Sequence, residues 1–189
     1  PLLYFNRGAV YSTLHDYQQA ISDYTGALYI NPNLVKAYNN RGFAYQKLGE
    51  AQAALTDFNQ AIQRNPKFAN AYNNRGTVRS KLGDLEGAIS DFTQAIQFSP
   101  KFANAYNNRG TARSRLKDFQ GAIADFSQAI ELHPNFANAY NNRGLARIDL
   151  GDKQGAIADL TQAARIFAAQ GNSAHQQQLL NTIQKLQKQ

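Results

Sequence analysis

Five arginines stand 34 residues apart, at Arg7, Arg41, Arg75, Arg109 and Arg143, and an aspartate follows each at the same distance: Asp23, Asp57, Asp91, Asp125 and Asp159. A guanidinium and a carboxylate can pair through two parallel hydrogen bonds, which fixes geometry as well as charge. If each 34-residue unit is a helical hairpin turning near its residues 15–16, levels that face each other sum to about 31, and unit positions 7 and 23 nearly do. The pairs therefore read as a structural ladder rather than as free anion receptors, with pairing inside a unit and between units both compatible with the spacing. Arg79, Arg113 and Arg147 follow three of these arginines by four residues, which puts two cations on one helix face. Like charges so placed repel unless an anion intervenes. That anion is either the same aspartate or an acidic side chain of a ligand.

A second polar series lies on the same segments. Lys36, Asn39, Asn40 and Lys47 recur in type as Asn70, Asn73, Asn74, Thr77 and Lys81, then as Asn104, Asn107, Asn108, Thr111 and Arg115, and finally as Asn138 and Asn141. Steps of three and four residues keep unit positions 2, 5, 9, 12 and 13 on one side of a helix, and the asparagine at position 6 (Asn40, Asn74, Asn108) extends the amide surface. An asparagine amide donates and accepts as a peptide backbone does. A merely solvated face would favour better helix formers such as Glu, Lys and Gln, so the series reads as a surface for an extended peptide.

Other chemistry is poorly represented. The chain has no cysteine and only three histidines, His15, His133 and His175, which excludes disulfides, thiolate nucleophiles and a cysteine-ligated metal. No phosphate-binding glycine loop or nucleophile–base constellation interrupts the pattern, so neither an enzyme nor a bound cofactor or metal is expected. Apolar residues make up 43% and charged residues 17%, against both a disordered and a membrane-embedded chain. No signal sequence or spanning segment is visible, which favours the cytoplasm and argues against membrane contact.

The elements that hold these residues repeat with the same period. Tyr-Asn-Asn-Arg-Gly begins at Tyr38, Tyr72, Tyr106 and Tyr140, with the variant Tyr4-Phe5-Asn6-Arg7-Gly8 first; residues 69–102 and 103–136 agree at 23 of 34 positions, enough to imply like structures. Within a unit the pattern is helical twice over, as in Tyr72, Gly76, Val78 and Leu82, then Ala88, Ile89, Phe92, Ala95 and Ile96. Between them come Gly49, Gly83 or Gly151 and an acidic residue suited to cap the next helix (Asp16, Glu50, Asp84, Asp118, Asp152). Pro32, Pro66, Pro100 and Pro134 close the first four units. Gly8, Gly42, Gly76, Gly110 and Gly144 sit mid-helix, where glycine costs about 1 kcal/mol; their recurrence calls for close helix approach, Gly8 lying level with Tyr24 and Tyr4 with Ala27. Gly87, Gly121 and Gly155 recur as well, and nothing in the sequence explains them.

Across all five copies the chain resembles the tetratricopeptide repeat (TPR) family: the aromatic at unit position 4, Gly8, Tyr11 and Tyr45, the Ala20 and Ala27 series, the aromatic series at Tyr24 and the closing prolines carry the likeness. The wording is also similar to TPR arrays of photosynthetic bacteria. Arginine stands where the family usually has leucine at position 7, and Arg79, Arg113 and Arg147 replace its tyrosine at position 11. The resemblance implies an all-α, right-handed α-α superhelix (solenoid) of five TPR hairpins, 1–34, 35–68, 69–102, 103–136 and 137–170, with residues 171–189 as a C-terminal capping helix carrying Leu179, Leu180, Ile183 and Leu186. It also implies that the asparagine face lines a concave groove. The family's carboxylate clamp for chaperone tails is absent, since Phe5, Ala9, Asn70 and Asn74 stand at its positions and only Asn40 fits.

The expected function is a non-catalytic protein-interaction scaffold that binds an extended, acidic or polar peptide. Single-stranded RNA is an alternative partner, against which net charge per copy runs only from −1 to +3. The recurring tyrosines and Phe68, Phe102 and Phe136 read as core packing rather than base-stacking platforms. Leu2, Leu3 and Phe5 lack a covering element, which favours a chain cut from a longer one over self-association through that end.

Overall fold

A computed structural model describes residues 1–188, and among them every regular element is an α-helix. The chain divides into two compact units, Pro1–Pro100 and the part beginning at Lys101. The first unit holds three antiparallel hairpins: α1 (Leu2–Thr13) with α2 (Tyr17–Ile30), α3 (Val35–Leu48) with α4 (Ala51–Arg64), and α5 (Ala69–Leu82) with α6 (Leu85–Phe98). There α2 packs on α3 and α4 on α5, while the first helices touch one another along one side, α1 with α3 and α3 with α5. The second unit holds α7 (Ala103–Arg115) with α8 (Phe119–Leu132), α9 (Ala137–Asp149) with α10 (Lys153–Ala169), and α11 (Ser173–Lys188) against α10.

Local chemistry sets the helix ends. Asp16, Asp84, Asp118 and Asp152 each accept a backbone N–H three residues on, satisfying one of the orphan donors of the first turn. Glu50 makes no such bond. After α3, α5 and α9 the chain turns through Gly49, Gly83 and Gly151 at φ of +82°, +91° and +80°. After α1 and α7 the same turn falls on His15 and Lys117, both at φ +63°, a conformation that costs a residue with a Cβ about 1–2 kcal/mol.

Each hairpin closes on its mid-helix glycine. A Cβ added to Gly8, Gly42, Gly76, Gly110 or Gly144 would meet Tyr24, Phe58, Phe92, Phe126 or Leu160 at 3.0, 2.9, 2.8, 2.7 and 3.0 Å respectively. Those five partners and the alanines around them, such as Ala88 and Ala95, are buried. Small residues on one helix thus seat a large one on the other, and dispersion and apolar burial follow from the close fit. Leu82 departs from the expected stripe: it is 59% exposed and lines the edge of a cleft.

The last helix lies on the fifth hairpin. Ile166, Phe167, Leu179 and Ile183 form one buried cluster with Leu160 and Ala163, and Leu186 packs against its edge. Leu180 falls off this face and is 38% exposed.

Two outcomes follow for stability. Gly76→Ala should destabilise by about 1–3 kcal/mol through overpacking against Phe92, although alanine is the better helix former; a gain in urea midpoint would show that the ring moves aside freely. Deleting residues 171–189 should bare Ile166 and Phe167 and lower both the melting temperature and the solubility; unchanged melting would remove α11 from the core.

Candidate functional site

The arginine and aspartate series meet inside each hairpin, bridging its two helices. Arg41 donates from Nε and Nη2 to the two oxygens of Asp57 at 2.7 and 2.8 Å, and Arg75 does the same to Asp91 at 2.9 and 2.6 Å. Arg7 with Asp23, Arg109 with Asp125 and Arg143 with Asp159 repeat the fork. All five carboxylates are buried. The arginines lie over the tyrosine three residues earlier, about 5.5–5.8 Å from the ring centre, a favourable cation–π distance. The remaining nitrogen reaches the preceding hairpin: Arg41 Nη1 donates to Thr25 Oγ1, Arg75 Nη1 to Asn59 Oδ1 and Arg143 Nη1 to Ser127 Oγ. Burial lowers the pKa of Arg41, but its hydrogen bonds and charge pairing with Asp57 outweigh that and leave it raised. In Arg7 the hydrogen bond and charge of Asp23 raise it likewise. Burial raises the Tyr24 hydroxyl, against the pull of hydrogen bonds with Asn40 and Ser12.

Arg79, Arg113 and Arg147 each pair with the aspartate of their own hairpin, the first of the two anions expected for them. Each donates from Nη1 to the aspartate already held by the first arginine, at 3.0, 2.9 and 2.9 Å. The same nitrogen bonds the carbonyl of Gly87, Gly121 or Gly155, and Nε lies 3.5–3.7 Å from the capping Asp84, Asp118 or Asp152. One cation thus joins the buried carboxylate, the cap and the first turn of the second helix. This arrangement explains the unassigned glycines, since a Cβ there would collide with the cap carboxylate, whose carbon would lie 2.7–2.8 Å away. Copies one and two carry Tyr11 and Tyr45 in place of the arginine, and Gln19 and Ala53 in place of the glycine. The glycine appears where the arginine does.

The asparagine series divides. Asn39 and Asn73 are buried rather than offered to a peptide. Asn74 Nδ2 donates to Asn39 Oδ1 at 3.0 Å in the first unit, and Asn142 Nδ2 to Asn107 Oδ1 at 3.1 Å in the second. Unit position 5 faces the next first helix, so its amide bonds a neighbouring hairpin. Thr77 and Thr111 hydroxyls return to their own helix at Asn73 O and Asn107 O. Lys36, Lys47, Asn70 and Lys81 remain exposed in the first unit, and Asn104, Thr111, Arg115 and Asn138 in the second; Asn40, Asn74, Asn108 and Asn141 are half-buried.

Clefts open beside these residues. In the second unit a cleft of about 240 Å³ has Phe119, Phe126, Leu145 and Ala146 in its walls and Arg115 and Asp149 among its polar lining. In the first unit a cleft of like size is lined by Gln46, Gly49, Ala51, Val78, Lys81 and Leu82, and Gln46 Oε1 is buried there without a partner among the described residues. A third, of about 260 Å³, lies where Asn138 and Asn141 face His175, Gln178 and Thr182 over Leu160, Phe167 and Leu179. Sequence reasoning placed Gln46 on the polar stripe with Lys36 and Lys47 but missed Leu145 and Asp149. Their signal was departure from the repeat, since position 9 is threonine in the two copies before Leu145 and position 13 is basic in the three before Asp149. Among the described residues no group of three or more His, Cys, Asp or Glu could hold a metal ion, and no helix is long and apolar enough to cross a membrane.

The sequence matches the tetratricopeptide repeat over residues 35–68, 69–102 and 103–136, with further matches to repeats of that kind over 14–49 and 126–158. A search of curated proteins finds no match. Among solved structures, MamA 41-end from Desulfovibrio magneticus RS-1 superposes with a TM-score of 0.78 at 20% identity, covering 89% of this chain and 95% of that one. TTC0263, a thermophilic TPR protein of Thermus thermophilus, gives 0.75 at 20% identity over 100% and 99%. YrrB, described as a TPR protein with an unusual peptide-binding site, gives 0.70 at 20% identity over 93% and 90%. At these identities the likeness is one of fold.

Asp125→Ala should leave Arg109 and Arg113 without their shared buried anion and cost about 3–5 kcal/mol. Asp118→Ala, which removes a cap, should cost about 1 kcal/mol. Chemical denaturation of both checks the order; equal losses would mean the buried carboxylate contributes no more than a cap.

Proposed function

The chain belongs to the tetratricopeptide repeat family, and from that premise we propose that it is a non-catalytic protein-interaction scaffold whose first-helix faces bind extended peptide segments. The observation that carries this reading is the division of the polar residues. Ladder arginines, second-row arginines and inner asparagines are consumed inside the hairpins, while Lys36, Lys47, Asn70 and Lys81, and Asn104, Arg115 and Asn138, stay exposed on the first helices. Clefts with apolar walls lie beside Lys81 and beside Arg115, suited to side chains of a chain passing over them. In the first unit the exposed cations favour acidic side chains. YrrB, a protein of this fold, is described as having an unusual peptide-binding site, which supports a peptide as the class of ligand.

RNA is the weaker candidate. Five ladder arginines and three second-row arginines, eight of the 20 basic residues, already face aspartates, and a phosphate backbone needs free cations.

Selection from a displayed random-peptide library should enrich acidic sequences. Lys47→Ala with Lys81→Ala should weaken them about tenfold, as two exposed charge pairs at up to about 1 kcal/mol each allow. Added salt should weaken binding in the same direction. Asn73→Ala is a poor probe, because its side chain is buried. Selected peptides that bind the folded double variant with unchanged affinity would move the site away from these helices, and a library without binders beside a salt-sensitive RNA gel shift would favour RNA.

A further inference from the structure

The cleft between α9 and α11 differs in chemistry from the two that lie beside Lys81 and Arg115. Asn138 and Asn141, three residues apart, border it from α9, and His175, Gln178 and Leu179, at steps of three and four, border it from α11. Phe167 and Leu179, both members of the core cluster, give it an apolar floor. Among the described residues no Lys, Arg, Asp or Glu lines it, whereas Lys81 and Arg115 line the other two. The ring of His175 is held on both sides. It lies 5.1 Å from the ring of Phe167, and its Nδ1 is 3.0 Å from Asn172 Oδ1. That oxygen also accepts the His175 backbone N–H, so Nδ1 donates to it and Nε2 of the neutral ring is an acceptor.

Asn141 indicates what such a site takes. It stands at unit position 5, where the amide oxygens of Asn39 and Asn107 accept a carboxamide N–H from the next first helix at 3.0 and 3.1 Å. The donors there are Asn74 and Asn142, and the residue 34 beyond Asn142 is Gln176, which is not part of the cleft lining. Asn141 thus borders a cleft at the unit position whose counterparts hold an amide. We propose that this cleft receives the carboxamide side chain of a glutamine, as one subsite of the peptide binding proposed above, on which it rests. The NH2 group meets acceptors on Asn138, Asn141 and His175, and the carbonyl meets the amide donors of Asn138 and Gln178. The methylenes lie over Phe167 and Leu179, where burial favours them. A glutamate of the same shape would give up its hydration with no cation to replace it. Lysine or arginine would meet no carboxylate.

Blocked amino acids test the cleft apart from any peptide. The probes are N-acetyl-glutamine N-methylamide and its glutamate counterpart, titrated into the full chain and followed by NMR. With the glutamine probe, shifts of the Asn138, Asn141 and Gln178 side-chain amides should saturate in the millimolar range, and the glutamate probe should bind about tenfold or more weakly. Gln178→Lys, at an exposed position, should reverse that preference by placing a cation in the lining, with helicity and melting unchanged. No response to the glutamine probe, equal binding of the two probes, shifts confined to other helices, or a folded Gln178→Lys chain that still prefers glutamine would each overturn the proposal. The two readings fail differently. A library without binders would end the peptide reading while the glutamine shifts persist, and library peptides that bind without moving these three amides would remove the subsite alone.

Discussion

Five carboxylates with 2–4% of their surface exposed set the terms for the whole chain. An ionised carboxylate taken out of water costs several kcal/mol unless a cation and hydrogen bonds replace the lost hydration. Each hairpin supplies these through one arginine on the facing helix, and the planar fork permits little variation in level or rotation. The residue after each aspartate is the large side chain seated on the glycine, so charge pairing and the tightest packing fall on the same level. Sliding one helix against the other would break both at once. The spare nitrogen of the same guanidinium then reaches the preceding hairpin in Arg41, Arg75 and Arg143, so one group sets register within a hairpin and between neighbours.

The parts of this arrangement that were legible in the sequence are those defined by two positions and a period. Arginine with aspartate, and glycine with the aromatic, each need only the level rule of a hairpin. The second-row glycines depend on four groups from two helices: Arg79, Asp84, Gly87 and Asp91. No spacing rule links these, and the absence of the glycine in copies one and two gains meaning only once Tyr11 and Tyr45 are seen in place of the arginine. The asparagines show a different obstacle. Helical periodicity places Asn39 and Asn40 on the first helix but does not distinguish a side that meets solvent from one that meets the next hairpin. Both sides are polar here, because an amide pair between hairpins satisfies itself.

Duplication explains why the clefts escaped notice. Residues that hold hairpins together repeat because each copy needs them, so the repeated pattern describes the framework. The cleft-lining positions vary instead: position 9 is Phe43, Thr77, Thr111 and Leu145, position 12 is Gln46, Ser80, Ser114 and Ile148, and position 13 is Lys47, Lys81, Arg115 and Asp149. A reading tuned to recurrence keeps Lys47, Thr77, Lys81, Thr111 and Arg115, which repeat in type, and passes over Leu145 and Asp149, which do not.

The same variation bears on the proposed peptide binding, because the two clefts differ in their linings. In the first unit the cleft is lined by the Lys81 cation beside Val78 and Leu82. In the second it offers phenylalanine and leucine walls with Arg115 and Asp149 both in the lining. A purely acidic segment suits the first and meets an unfavourable carboxylate in the second, where a segment carrying an apolar side chain and both signs of charge fits better. The framework makes the two clefts equivalent in position, and their linings make them different in chemistry. Under the proposed peptide-binding function, discrimination between ligands rests on a handful of non-repeating residues held in place by the repeating ones.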